Sequence, residues 1–101
     1  MERITKMNKL EYTVANTVKM FRMGAEGEGS HGLLEILNGI SASLNEQNEH
    51  EFNTNQEDIS LLNKIIMAQE RGDFIFVADL LEYELPRSVF WKIMNHDFLI
   101  G

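Results

Sequence analysis

The side chains of this chain that could do chemistry are mostly carboxylates. Aspartate and glutamate together number 16, whereas cysteine is absent and histidine occurs three times. Two acidic pairs stand out, Glu46 with Glu49 and Glu70 with Asp73, because residues at i and i+3 share one face of a helix. Magnesium prefers oxygen ligands, and it lowers the pKa of a bound water. These four carboxylates are therefore the first candidates for chemistry in the chain.

The two pairs resemble the ExxE and ExxD motifs of the all-α nucleoside-triphosphate pyrophosphohydrolases. The run Glu70-Arg-Gly-Asp73-Phe-Ile-Phe is similar to the second motif of that family. The resemblance implies that Glu46, Glu49, Glu70 and Asp73 hold magnesium, which binds the phosphates of the substrate and activates water. A magnesium-dependent pyrophosphohydrolase is therefore the alternative function that these residues leave open.

Three features place that alternative second. The first pair lies at a predicted helix end in polar surroundings, and Gly72 is expected to turn the chain within the second pair. With 16 acidic residues, chance pairs are expected, and further combinations come from Glu35, Asp79, Glu82 and Glu84. A motif without its structural context does not establish a site. We therefore predict no catalytic residue, no metal ligand and no cofactor, and hence no enzyme.

The remaining motifs are weaker. Residues 27–32 match GxGxxG, but that phosphate-binding motif follows a strand, and the preceding element here is predicted to be helical. His50 lies near several glutamates in the most polar stretch, without a second histidine at ligand spacing. The absence of cysteine removes disulfides, thiolate nucleophiles and cysteine-based zinc sites. None of these features predicts a reactive centre.

The acidic balance of the chain limits its partners. The net charge is −7, with 16 acidic against 9 basic residues, so phosphate backbones and anionic membranes are repelled. We therefore expect neither nucleic acid nor membrane as a partner. The first residues contain no apolar signal core, and no apolar run reaches membrane-spanning length, which predicts a cytoplasmic protein.

Apolar residues recur at helical spacing in four stretches, and the single proline argues against a sheet. We predict helices at about 3–23, from 33 to about 47, from 54 or 55 to about 71, and from 74 onward, with a loop at 48–56. Gly24 and Gly72 should end the first and third helices, because glycine readily adopts the left-handed conformation, and Asp73 should cap the fourth. Residues 24–32 fit either a loop or the first turns of the second helix.

These elements predict one all-α domain over residues 1–101. Short connections favour an up-and-down bundle of about four helices, with the last helix kinked or restarted at Pro86. The apolar stripe of the third helix is expected to consist of Ile59, Leu62, Ile65 and Ile66. This stripe should face the core of the bundle.

The segment from Ala78 to Pro86 predicts an amphipathic helix with an acidic face. Acidic residues and Tyr83 share one side, whereas leucines occupy the other. Aromatic side chains contribute strongly to interfaces, and the chain ends in a further apolar cluster. The residues predicted to bind a partner are Asp79, Glu82, Tyr83, Phe90, Trp91, Phe98, Leu99 and Ile100.

A longer stretch resembles a known group. The segment Gly72-Asp-Phe-Ile-Phe-Val-Ala-Asp-Leu-Leu-Glu-Tyr-Glu-Leu-Pro86, with Phe21-Arg-Met-Gly-Ala-Glu-Gly-Glu-Gly29, is similar to short acidic helical proteins of Gram-positive bacteria that share an ADLLEYE-type motif. The group has no established activity. The resemblance therefore implies a bacterial helical protein and transfers no site.

The predicted function is a non-catalytic protein-interaction module. A small regulator, adaptor or secretion-type chaperone would bind a protein partner through apolar and acidic surfaces of the first and fourth helices. A homodimer is a further arrangement that the surplus apolar residues allow. An acidic inhibitor protein of a mobile element, which would occupy a basic groove, is the other alternative, and it requires one strongly acidic face.

Overall fold

The computed structural model describes residues 9–46 and 56–92, with side chains in 9–42 and 56–92. These ranges form α1 (Lys9–Arg22), α2 (Glu26–Glu46), α3 (Gln56–Arg71) and α4 (Phe74–Asp79). α4 continues into a π-helical turn (Leu80–Glu84) and a 3₁₀ turn (Leu85–Arg87). Helical conformation resumes at 89–92. The described residues contain no strand, which confirms the all-α prediction.

Two expectations fall on other residues. The predicted start of the first helix at residues 3–8 and the predicted loop at 48–55 lie outside the described ranges. Within those ranges, none of the helices combines the length and the apolar character that crossing a bilayer requires.

Gly24 ends α1, as predicted. Its φ of +85° lies in the left-handed region, where a side chain would be strained. The amide of Ala25 donates to the carbonyl of Met20 (2.8 Å), and the amide of Gly24 donates to that of Phe21 (3.1 Å). These two bonds form a Schellman motif, which satisfies carbonyls that the end of a helix leaves without a partner.

The same motif recurs at Gly72, which ends α3 as predicted. Gly72 has φ +76°, and the amide of Asp73 donates to the carbonyl of Ala68 (2.9 Å). Asp73 then caps α4, because its carboxylate accepts a hydrogen bond from the amide of Phe76 (3.4 Å). Both corners are therefore built from local hydrogen bonds around one glycine.

The glycine-dense segment is helical. α2 begins at Glu26, and the amide of Gly29 already donates to the carbonyl of Ala25 (2.9 Å). Of the two possibilities that the sequence left open for residues 24–32, the structure selects the first turns of the second helix. Glycine lowers helix propensity by about 1 kcal/mol per residue, so its presence here needs another cause.

That cause is the close approach of α1 and α2. A Cβ atom on Gly29 would lie 2.5 Å from the ring of Phe21, and one on Gly32 would collide with Oγ1 of Thr17. The contacts run in opposite chain order, so the two helices are antiparallel. The Thr17 hydroxyl, which is buried, donates to the carbonyl of Thr13 (2.7 Å) and is thereby satisfied within its own helix.

α1 lies between α2 and α4 and contributes to one hydrophobic core. Phe21 stacks on Phe74 of α4, with ring centroids 5.2 Å apart. Other large buried side chains include Leu33 of α2, Ile65 of α3, Leu81 of the π-helical turn and Phe90 of the segment at 89–92. The core thus joins all the described helices, and its removal from water is the main stabilising contribution.

α3 buries a different face from the predicted one. Ile65 is buried as expected, but the other core residues of α3 are Leu61 and Ala68, whereas Ile59 and Ile66 remain 51% and 36% exposed. The prediction that all four stripe residues face the core is therefore wrong. The reason is that α3 carries apolar residues on two adjacent faces, and periodicity alone does not distinguish them.

The last helical segment is attached by a residue far away in the sequence. Ser88 is extended (ψ 166°), and its hydroxyl donates to the carbonyl of Leu85 (2.7 Å) rather than capping the helix that follows. The amide of Val89 instead donates to the carboxylate of Asp58 in the first turn of α3 (3.2 Å). Asp58 is buried, so this bond fixes the segment against α3.

Candidate interaction surface

The acidic face predicted on the fourth helix is centred on one arginine. The Arg22 guanidinium donates to the carboxylates of Asp79 (2.9 Å) and Glu82 (2.7 Å). The hydrogen bonds to Glu82 and then to Asp79 raise the pKa of Arg22 above its ordinary value. Because two carboxylates share one cation, this cluster keeps a net negative charge.

The π-helical turn positions this cluster. The amide of Leu85 donates to the carbonyl of Leu80, five residues earlier, which is the wider hydrogen-bond spacing of a π-helix. Leu80, Leu81 and Leu85 point into the core, whereas Glu82 and Tyr83 are exposed. The predicted division between acidic and leucine sides is confirmed. Single π-helical turns are frequent at functional sites, which makes this turn a candidate.

A groove of about 280 Å³ lies between α1 and the segment that follows α4. Its apolar lining comes from Val14, Ala15, Val18, Leu81, Pro86 and Trp91. The charged residues in the lining are Glu11 of α1 and Glu82 of the π-helical turn, both carboxylates. We call this the acid-rimmed groove. Its combination of an apolar floor and acidic margins suits an apolar segment that carries neighbouring cations.

The predicted partner-binding residues fall into three sets. Glu82 and Trp91 line the acid-rimmed groove, and Asp79 joins Glu82 at Arg22. Tyr83 is 58% exposed on the same turn as Glu82. Phe90, in contrast, is only 2% exposed and belongs to the core, so its ring is not available on a surface. Phe98, Leu99 and Ile100 lie outside the described residues.

The alternative catalytic residues are distributed over two helices. Glu70 is in the last turn of α3, Gly72 turns the chain, and Asp73 caps α4 and pairs with Arg71 (3.6 Å). The expected break of the second acidic pair is therefore confirmed. The side chain of Glu46 and all of Glu49 lie outside what the structure describes. In the described ranges, no three histidine or acidic side chains are grouped so that they could hold a metal ion.

A second hollow lies between α1 and α2. It measures about 510 Å³ and is lined in part by Tyr12, Glu28, His31 and Glu35. His31 and Glu35 are both exposed and lie 3.8 Å apart, as is common for i and i+4 neighbours on a helix. The GxGxxG residues lie inside α2, so the loop that cradles a phosphate in that motif is not formed. This hollow therefore has no arrangement that indicates a ligand.

Sequence reasoning named the first helix as a binding surface but did not identify which of its residues line the acid-rimmed groove. Glu11, Ala15 and Val18 are ordinary residues of an amphipathic helix. Arg22 lies 57 residues before Asp79 and 60 residues before Glu82 in the sequence. No local sequence pattern predicts a contact between residues so far apart in the sequence. The sequence feature that indicated this site is the acidic face from Asp79 to Glu82.

No protein family, curated protein or solved structure matches this chain.

Proposed function

We propose that this protein is a non-catalytic interaction module that binds an apolar, positively flanked segment of a protein partner in the acid-rimmed groove. The observation that carries the proposal is the composition of that groove, in which Trp91 and aliphatic side chains are bordered by Glu11 and Glu82. A small regulator, an adaptor or a secretion-type chaperone would bind its partner through such a surface.

The physical argument combines two contributions. Aliphatic and tryptophan surface supplies affinity when a partner removes it from water, and tryptophan is enriched among the residues that dominate binding. The carboxylates at the margins attract lysine or arginine and repel acidic competitors, so they contribute mainly to specificity and association rate. The net charge of −7 acts in the same direction at longer range.

Ala15 offers a direct test because it is exposed within the groove lining. Ala15→Gln fills the groove with a polar side chain and should weaken partner binding by at least about tenfold. Ala42→Gln is the matched control, because Ala42 is an exposed helical alanine of α2 that does not line this groove.

The measurement has two stages. Proteins retained by the wild-type chain and by the Ala42→Gln variant, but not by Ala15→Gln, are identified by quantitative mass spectrometry. The best candidate is then purified and titrated calorimetrically against all three proteins. The proposal fails if no protein is retained, or if the retained partner binds Ala15→Gln as tightly as Ala42→Gln.

An acidic inhibitor protein is the second candidate, supported by the charge of α2. This helix carries glutamates at 26, 28, 35 and 46 and no lysine or arginine. Such a helix would compete with nucleic acid for a basic groove. Competition binding with a purified DNA-binding partner decides between the two, because the inhibitor requires DNA and this protein to exclude each other.

We also propose that the helices follow the up-and-down order of a four-helix bundle, with the last helix restarted at Pro86. Pro86 cannot donate a hydrogen bond, and Ser88 is extended before helical conformation resumes. A chemical-shift analysis by NMR that finds uninterrupted helix through residues 86–88 would contradict this arrangement.

A further inference from the structure

One side of the acid-rimmed groove is not held in place by its neighbours in the sequence. Trp91 is half-buried in the lining and belongs to the helical segment at 89–92. Ser88 precedes this segment with extended backbone (φ −93°, ψ 166°), and its amide donates to the carbonyl of Leu85 (3.0 Å). The preceding turn therefore closes at Ser88, and the segment that carries Trp91 does not continue the direction of that turn.

The start of the segment is capped from another helix. The first amides of a helix have no partner within it, and a side chain just before the helix commonly accepts a hydrogen bond from one of them. The Ser88 hydroxyl does not do so, because it donates to the carbonyl of Leu85 (2.7 Å). The amide of Val89 donates instead to the buried carboxylate of Asp58 in the first turn of α3 (3.2 Å). α3 therefore supplies the cap of the segment that carries Trp91.

This hydrogen bond and the apolar contacts of the segment do different things. Phe90 is buried in the core, and Val89 and Trp91 pack against the core. Apolar contacts are non-directional, so they keep the segment close to the core without fixing its rotation. A hydrogen bond requires a defined distance and angle between donor and acceptor. The bond from Val89 to Asp58 therefore fixes the orientation in which Trp91 faces the groove.

α3 affects the groove without lining it. Among the described residues, the lining comes from α1, the π-helical turn, Pro86 and Trp91. A separate hollow of about 560 Å³ lies between α3 and the turn before the segment, with Glu57 and Arg87 among its lining residues. The contact between Asp58 and Val89 therefore links α3 to the groove across 31 residues of sequence.

From these observations we infer that Asp58 is a positioning residue of the acid-rimmed groove, because it holds Trp91 in the lining through the amide of Val89. The inference deepens the proposed function and rests on it for the existence of a partner. When the bond is lost, the segment stays attached through Phe90 but can rotate, and Trp91 is no longer held in the lining. A partner must then order Trp91 as it binds, which costs affinity.

The position of Trp91 is measured in the free protein. Trp91 is the only tryptophan of the chain, so tryptophan fluorescence reports on this side of the groove. Asp58→Ala removes the acceptor, and Trp91 should then emit at longer wavelength and be quenched more strongly by acrylamide, a neutral probe. Glu57→Ala is the matched control, because it removes an exposed carboxylate from the same first turn. Its emission and quenching should equal those of the wild type.

A conservative variant separates positioning from a general loss of stability. The side-chain oxygen of Asp58→Asn can still accept from the amide of Val89, so this variant should keep most of the wild-type emission and quenching. Circular dichroism should show the same helix content in all the variants. A measurement on the wild type needs no variant: the amide of Val89 should exchange its hydrogen slowly, as a bonded amide does.

Partner binding distinguishes this inference from the proposed function. A partner that Ala15→Gln releases should bind Asp58→Ala about tenfold more weakly than Glu57→Ala. If Ala15→Gln and Ala42→Gln bind alike, the proposed function fails, and fluorescence of the free protein still decides whether Asp58 positions Trp91.

Four results would overturn the inference. The first is an equal response of Trp91 in Asp58→Ala and Glu57→Ala. The second is a shift in Asp58→Asn as large as that in Asp58→Ala. The third is exchange of the Val89 amide as fast as in an unfolded chain. The fourth is a partner that requires the groove and binds Asp58→Ala as tightly as Glu57→Ala, because the position of Trp91 would then not control affinity.

Discussion

The two sides of α2 are packed in opposite ways. Towards α1, Gly29 and Gly32 bring the backbone of α2 directly against Phe21 and Thr17. Towards α3, larger side chains such as Leu37 line a groove of about 260 Å³. Glycine allows the backbones of two helices to approach closely, whereas aliphatic side chains on both walls hold two helices apart. One helix therefore contacts α1 through glycine and lines a groove with α3 through larger side chains.

The largest loss of stability is expected from a substitution on the buried face of α2. Leu33 is fully buried and its neighbour Leu34 is 54% exposed. Leu33→Ala should lower the free energy of unfolding by about 3 kcal/mol, because it removes buried surface and leaves a cavity. Leu34→Ala should lower it by less than about 1 kcal/mol. Urea unfolding followed by circular dichroism measures both free energies. Equal decreases for the two variants would contradict the assignment of Leu33 to the buried face and Leu34 to the exposed face of α2.

The next effect tests the close approach itself. Gly32→Ala should destabilise the fold by about 2 kcal/mol, because its methyl group collides with the buried Thr17 side chain. Gly27→Ala is the control, since a Cβ there meets no atom within 4 Å. Gly27 also lies in α2, so alanine should stabilise it by about 0.5–1 kcal/mol through helix propensity. Thermal unfolding of the two variants should shift in opposite directions.

A smaller loss of stability is expected at Gly24, where a side chain would cause backbone strain but no steric collision. A Cβ on Gly24, like one on Gly27, would have no atom within 4 Å, but the φ of Gly24 is +85°. Gly24→Ala should therefore cost about 1 kcal/mol, purely because an L-residue is strained in the left-handed region. Denaturant unfolding is again the measurement. A stability equal to that of Gly27→Ala would show that the corner at Gly24 does not require the left-handed conformation.

The smallest effect is expected at Arg22, on the surface rather than in either interface. Arg22→Gln removes both ion pairs, but its carboxylate partners are exposed, so solvent screening limits the loss. Because folding raises the pKa of Arg22, the stabilisation is present below the ordinary arginine pKa and is lost only as the pH rises through the folded value. The stability difference from the wild type should therefore stay constant between about pH 7 and pH 9.

Much of the candidate site was predictable because it is local. The acidic face of Asp79 and Glu82 opposite the buried leucines follows from the spacing of residues within one helical segment. Phe90 was not predictable in the same way, because its neighbours Val89 and Trp91 are also apolar but only half-buried, and residue type does not distinguish them. The acid-rimmed groove also depends on α1, whose contribution is made by residues that resemble those of any amphipathic helix.

The sequence by itself determined the helix ends at Gly24 and Gly72, the cap at Asp73 and the all-α class. These features depend on backbone conformation and hydrogen bonds between residues a few positions apart. Only the tertiary structure decided which face of α3 is buried, why Gly29 and Gly32 lie inside a helix, and that Asp58 binds the amide of Val89. Each of these features depends on a contact with another helix. The spacing of residues within one segment does not show which residues of another helix will pack against it.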